Sequence, residues 1–363
     1  MVQFPGLEGV VAAETAISLV DGQQGMLIYR GHWAKDLAVY NSFEEVAYLL
    51  WYGKFPSANE YEAFITKFKK YRVLGVEEKK VLESLPLQLD VMSALRTVIS
   101  SMSHTFTAWP PTVDDAIRIT AMAPTIIANL NRRNEGVEFV EPHPDLNHVA
   151  NYLYMLKGEI PQKAHVAAMN AYAILTMEHG MNASTFSSRV VVSTQSDIVS
   201  AICAAIGAMK GPLHGGAPSE VMTMLNGIGS KENAEQWMRE HLEKGNRLMG
   251  FGHRIYKTRD PRAEALKTVT GRLASEDPWL DLAVYVEELA IKILEEYKPG
   301  RRLYTNVEFF AAAVLRSVEM PSTLFTPTFT SSRLVGWTAH ILEQSQNNRI
   351  YRPQSEYVGE MPI

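Results

Sequence analysis

The residues of this sequence best suited to chemistry are three histidines beside glycines, one carboxylate in an apolar run and several arginines near helix starts. His214 stands in GPLHGGAPSE, residues 211–220, between a helix expected to end near Lys210 and another expected to begin at Pro218. Glycines at 211, 215 and 216 would let a ligand approach the backbone closely. A nearby helix N-terminus disfavours an imidazolium, so His214 is expected to stay neutral and act as a hydrogen-bond donor. A plain helix-to-helix turn carrying an incidental histidine fits the spacing equally well. His179, in MEHGMNAST, precedes Gly180 and reads first as a dipole-compatible cap at the C-terminus of a helix over 161–179.

In GFGHRIYKTRDPRAEALK, His253 follows two glycines, and Arg254, Lys257, Arg259 and Arg262 come within nine residues. Asp260-Pro261 reads as N-cap and first helical residue, which puts Arg262 in the first turn. That is the wrong end of a helix for a cation, unless an anion binds beside the exposed N–H groups. The same argument is made for Arg333, expected in the first turn of a helix over 332–346 capped by Thr330 or Ser331. Arg352 lies in a polar tail that could reach a neighbouring chain. Glu308, in YTNVEFFAAAVLRS, is open to two readings. Burial among apolar residues would raise its pKa towards that of a general base. Thr305 and Glu308 also have capping-box spacing, and spacing alone favours the cap.

The elements that must position these residues are nearly all helical. Ser42 and Glu45 signal a capped helix start before Phe43, Val46, Ala47 and Leu50. Apolar stripes of helical period run over 197–210 and 281–297, and further helices are expected at 57–72, 90–103, 113–134, 218–228, 231–246, 261–276 and 306–318. Only the first 40 residues look β-like, with a hairpin expected from Thr15–Leu19 and Met26–Tyr29 around VDGQQG. The fold class is therefore mainly α with a small N-terminal hairpin. Pro/Gly-rich breaks at 211–218 and 321–327 would bound an inserted domain.

Composition narrows the function. A chain of 363 residues with 46% hydrophobic and 21% charged residues is that of a globular protein with a sizeable core. A net charge of −5 provides no overall basic field for nucleic acid or anionic lipid. The single cysteine, Cys203, excludes an intrachain disulfide and Cys-based zinc sites. The remaining histidines have no metal spacing, and neither a secretory signal nor an apolar membrane span is expected. A cytoplasmic protein with neither metal nor cofactor is the expectation. Three histidines, a carboxylate and anion-ready arginines suit proton abstraction beside a carbonyl of a small polyanion, followed by C–C bond formation.

At these motifs the sequence resembles citrate synthase of the shorter bacterial and archaeal kind, along ETAISLVDGQQGMLIYRG, EHGMNAST, GPLHGGAPSEV, GFGHRIYKTRDPRA, LFTPTFTSSRLVGW and YRPQSEYVG. The resemblance implies a two-domain, almost all-helical homodimer. Residues 1–212 and 322–363 would form the large domain and 213–321 the small one. The cleft between them would bind oxaloacetate first and then acetyl-CoA. It implies that His214 binds the thioester oxygen, that His253 polarises the oxaloacetate ketone, and that His179, Arg262 and Arg333 bind oxaloacetate or citrate. Arg352 would be lent to the partner subunit's site, and Lys257 and Arg254 would face CoA phosphates. The family's base is an aspartate in N-V-D-F, whereas this chain has Asn306-Val307-Glu308-Phe309, as do minor bacterial citrate synthases that it resembles. The same motifs serve 2-methylcitrate synthase, which uses propionyl-CoA. A ligand-binding paralogue with Glu308 as a mere cap is the alternative outside catalysis.

Overall fold

The computed structural model describes residues 4–215, 218–252, 256, 258–275 and 277–362, with the backbone only at 218 and 219. His253, Arg254 and Lys257 lie outside the described residues.

Most expected helices form where their caps predict. Ser42 and Glu45 make a reciprocal capping box on the Phe43–Tyr52 helix. Asp197 caps Ile198–Lys210, and Asp260 caps Pro261–Leu273 with Pro261 in the first turn. Four further helices form where the sequence reading expects none: Ala34–Tyr40, Val76–Ser84, His148–Lys157 and Ala183–Val192. Among the described residues no helix is long and apolar enough to cross a membrane.

The N-terminal β-structure is larger than a hairpin and starts later. Strands β1 (Ser18–Asp21), β2 (Met26–Tyr29) and β3 (His32–Trp33) form an antiparallel sheet in that order, with Ser18 opposite Tyr29 and Asp21 opposite Met26. Asp21 Oδ1 accepts from the amides of Gln23 and Gln24, each at 2.9 Å, and so closes the turn. Ile17, Leu27 and Tyr29 carry the sheet's weight into the core.

The centre of the core is the Phe325–Gln346 helix, seven residues longer at its start than the sequence suggests. It packs on Val113–Asn134, Ala183–Val192, Ile198–Lys210 and Phe43–Tyr52. The hydroxyls that look like caps are buried inside it. Thr330 Oγ1 donates to Thr326 O at 2.8 Å, and Thr338 Oγ1 to Leu334 O at 2.7 Å. Back-bonding of this kind satisfies a buried hydroxyl without ending the helix. Around this core, Pro261–Leu273 packs on Ala34–Tyr40 and on Lys163–Thr176, and Val307–Ser317 packs on both Lys163–Thr176 and Pro261–Leu273. These contacts bring residues distant in sequence to one cavity.

Candidate active site

A cavity of about 750 Å³ is lined by His179, His214, Arg262, Glu308 and Arg333. Five of the nominated residues therefore share one site. Arg352 does not belong to it. That side chain is exposed, on the wall of a second cavity of about 960 Å³ formed by the N-terminal segment and the C-terminal tail.

His179 sits in a loop, not at a helix C-terminus as its spacing suggests, because the helix ends at Thr176. The loop is buried, and the Nε2 of His179 lies 3.0 Å from the Tyr256 hydroxyl. The next helix begins with Asn182 as N-cap. His214 lies in a short Pro212–Gly215 helix within the expected turn. Its Nε2 is 2.8 Å from Ser184 Oγ, which donates to Asn182 Oδ1 at 2.7 Å and accepts from Trp337 Nε1 at 3.0 Å. The pKa of His214 falls to about 4, through burial first and the charge of Arg333 second. Its neutrality is as expected, but the cause is burial and a neighbouring cation more than a helix N-terminus.

Arg262 occupies the first turn as predicted, yet its charge is already matched within the chain. Asp260 Oδ1 accepts from Arg262 Nε at 3.1 Å, and Asp260 Oδ2 from Nη2 at 2.9 Å. Burial opposes the charge, and Asp260 outweighs it, so the guanidinium is held above its ordinary pKa. Arg333 departs from expectation. It lies deep within its helix, 2% exposed, and its Nε donates to Thr176 O at 2.7 Å. The helix-start argument for an anion therefore fails there. A buried cation facing a cavity still draws an anion, because its own desolvation leaves it undercompensated. Burial lowers its pKa to about 10, against the raising influence of Glu178.

Glu308 is not part of a capping box. The helix Val307–Ser317 is capped by Asn306, whose side chain accepts from Glu308 N at 3.1 Å. Thr305 instead donates its hydroxyl to Glu287 at 2.8 Å. The reading of Glu308 as a mere cap is thereby removed, and its side chain lines the cavity. Its pKa is raised, by burial first and then by Asp260 and Glu220, against the lowering charge of Arg262. Residues 250–252 run beside 304–306: Gly252 N donates to Tyr304 O at 2.7 Å, and Asn306 N to Gly250 O at 2.9 Å. Gly250 has φ +85, and a Cβ there would lie 2.8 Å from Phe309 Cβ, so only glycine lets the two segments meet. This pairing ties the segment entering His253 to the helix start that carries Glu308.

Sequence reasoning missed Glu178, Tyr256 and the pairing role of Asp260. Asp260 was visible only as a cap. Glu178 precedes a nominated histidine, but its side-chain partners Ser18 and His340 lie about 160 residues away, beyond the reach of a local signal. Among the described residues no group of three or more His, Cys, Asp or Glu side chains could hold a metal ion.

Comparison with known proteins accounts for this arrangement. The family model described as citrate synthase, C-terminal domain, matches residues 6–354. The chain is 40% identical to the citrate synthase of Haloferax volcanii, over 99% of this chain and 96% of that one. It is also 40% identical to a 2-methylcitrate synthase of Mycobacterium tuberculosis, over 98% and 90% of the two chains. The solved structure of the ternary complex of carboxymethyl coenzyme A and oxaloacetate with citrate synthase from Thermoplasma acidophilum is 31% identical. It superposes with a TM-score of 0.86, covering 99% of this chain and 97% of that one. The fold, the shared cavity and the extent of these matches make the chain a member of the citrate synthase family.

Proposed function

We propose that this chain condenses oxaloacetate with acetyl-CoA and hydrolyses the resulting citryl-CoA, so that one water is consumed and citrate and CoA are released. The observation that carries this reading is the convergence of a carboxylate of raised pKa, a neutral histidine and two buried arginines on one cavity. Glu308 takes a proton from the acetyl methyl group. His214 donates a hydrogen bond to the thioester oxygen as the enol forms. Ser184, whose hydroxyl donates to Asn182 Oδ1, lies 2.8 Å from the Nε2 of His214 and fixes the orientation of the ring. The enol carbon attacks the oxaloacetate ketone, and His253 protonates the ketone oxygen. Water then cleaves the thioester.

Arg262, Arg333 and His179 hold the carboxylates of oxaloacetate, the arginines by charge-assisted pairs. Lys257 and Arg254 face the CoA phosphates. Residues 213–321 act as a small domain that closes on 1–212 and 322–363 over the first substrate, which limits wasteful thioester hydrolysis. The working unit is a homodimer in which Arg352 completes the partner's site. Its position away from this chain's own cavity supports that reading, as do the exposed Val11, Tyr357, Val358 and Met361 of the two terminal segments.

The test is CoA thiol release from purified protein given oxaloacetate and either acetyl-CoA or propionyl-CoA. Turnover with acetyl-CoA preferred is the expected result. Preference for propionyl-CoA would assign the chain to 2-methylcitrate synthesis, the activity of the Mycobacterium relative. No release with either, from protein that binds oxaloacetate, would make it a binding paralogue.

A further inference from the structure

Glu178 is fully buried, and its Oε1 gathers three donors. Ser18 Oγ, on β1, donates at 2.8 Å, Gly180 N at 2.5 Å and His340 Nε2 at 3.1 Å. Arg189 Nη1 donates to His340 Nδ1 at 2.9 Å, which leaves the ring hydrogen on Nε2, directed at Glu178. A second strand reaches the same loop from below: Tyr29 OH, on β2, donates to the backbone oxygen of Glu178 at 2.7 Å. Val20 packs where a Cβ on Gly180 would lie 3.1 Å from its Cγ2. The loop so held carries His179.

The far end of the same hairpin meets the other side of the cavity. Gly25, in the β1–β2 turn, has φ +66, and a Cβ there would lie 2.9 Å from Thr258 Oγ1 and 3.0 Å from Arg259 O. Residues 258 and 259 lead directly into Asp260 and Arg262. One hairpin thus meets both segments that present the nominated substrate-binding groups.

We propose that the β1–β2 hairpin is a positioning element of the dicarboxylate site: Ser18 and Tyr29 hold the His179 loop through Glu178, the turn at Gly25 seats segment 258–259, and together they set the spacing between His179 and Arg262. The inference rests on the reading of that cavity as an oxaloacetate site. Nothing in the hairpin touches the reacting atoms, so its effect is on binding geometry. Loss of a hydrogen bond to a buried carboxylate is expected to reach about a tenfold change in affinity.

The experiment measures oxaloacetate KM and kcat for wild type, Ser18→Ala, Ser18→Thr, Gly25→Ala and Ser57→Ala, with oxaloacetate binding followed by calorimetry. Ser57 caps the remote Ala58–Tyr71 helix, so Ser57→Ala controls for lost stability alone. Expected are a roughly tenfold rise in KM for Ser18→Ala and Gly25→Ala with kcat within about twofold, rescue by Ser18→Thr, and unchanged KM in Ser57→Ala. If Gly25→Ala does not fold, the Ser18 pair decides. Unchanged KM in Ser18→Ala, or a KM rise that Ser57→Ala shares, overturns the inference in an enzyme that still turns over. Wild-type protein that neither binds oxaloacetate nor turns over overturns the site reading, and this inference with it.

Discussion

Asp260 grips Arg262 through both carboxylate oxygens, and its Oδ2 also accepts from Val307 N at 3.1 Å. One buried carboxylate therefore orients a nominated substrate ligand and anchors the helix start that carries Glu308. Asp260→Ala would strand the Arg262 guanidinium without its carboxylate. Breaking a buried pair in this way costs about 3–5 kcal/mol. Chemical denaturation should show a loss of that order with an unchanged slope; a loss below 1 kcal/mol would mean that water replaces the carboxylate readily.

Glu308→Gln keeps shape and removes the base. Turnover should fall on the order of 10²–10⁴-fold while oxaloacetate affinity is kept. Near-normal turnover would sink the assignment. The same variant carries a stability signature. The folded carboxyl has a raised pKa, so between the ordinary value of 4.5 and the folded value the native state binds more protons than the unfolded one. Stability therefore falls as pH rises through that window. Glu308→Gln removes this penalty and should unfold at higher temperature than wild type at pH 7, with the difference vanishing below pH 4.

His214 titrates in the opposite sense. The folded ring has a pKa of about 4 and the unfolded one about 6.5, so the unfolded state binds more protons between those values. Its contribution to stability is present above that window and is lost as pH falls through it. Proton–nitrogen NMR of the assigned ring should show a neutral imidazole at pH 6. An imidazolium at that pH would contradict both the burial argument and the donor role.

Arg352 is tested by complementation. Arg352→Leu and Glu308→Gln homodimers should each be nearly inactive. Co-expressed, they form heterodimers in which one site has an intact Glu308 and receives Arg352 from the other chain. Recovered turnover is the expected outcome. Mixtures no more active than their parents would place Arg352 outside the partner's site.

Much of this molecule was legible locally. The Ser42–Glu45 capping box, the Asp197 and Asp260 caps and the first-turn place of Arg262 follow from contacts within four residues, which a sequence displays directly. So does the predominance of helix, and the exclusion of an intrachain disulfide and Cys-based zinc sites by a lone cysteine. The motifs around His179, His214, Arg262, Glu308 and Arg333 marked five side chains that the fold gathers into one cavity.

Tertiary structure decided whatever depends on burial and distant partners. Thr330 and Ser331 have the chemistry of caps, but within a central helix their hydroxyls are buried, and Thr330 bonds a preceding carbonyl, so the helix runs on and Arg333 lies mid-helix. Thr305 has the spacing to cap with Glu308, yet Glu287, eighteen residues earlier, takes its hydroxyl and frees Glu308 to face the cavity. Glu178 becomes a keystone only when β1, β2 and the Phe325–Gln346 helix converge on it. Spacing along a chain ranks the local hydrogen bonds open to a side chain. Which of them forms is decided by the desolvation that packing imposes and by partners that only the fold delivers.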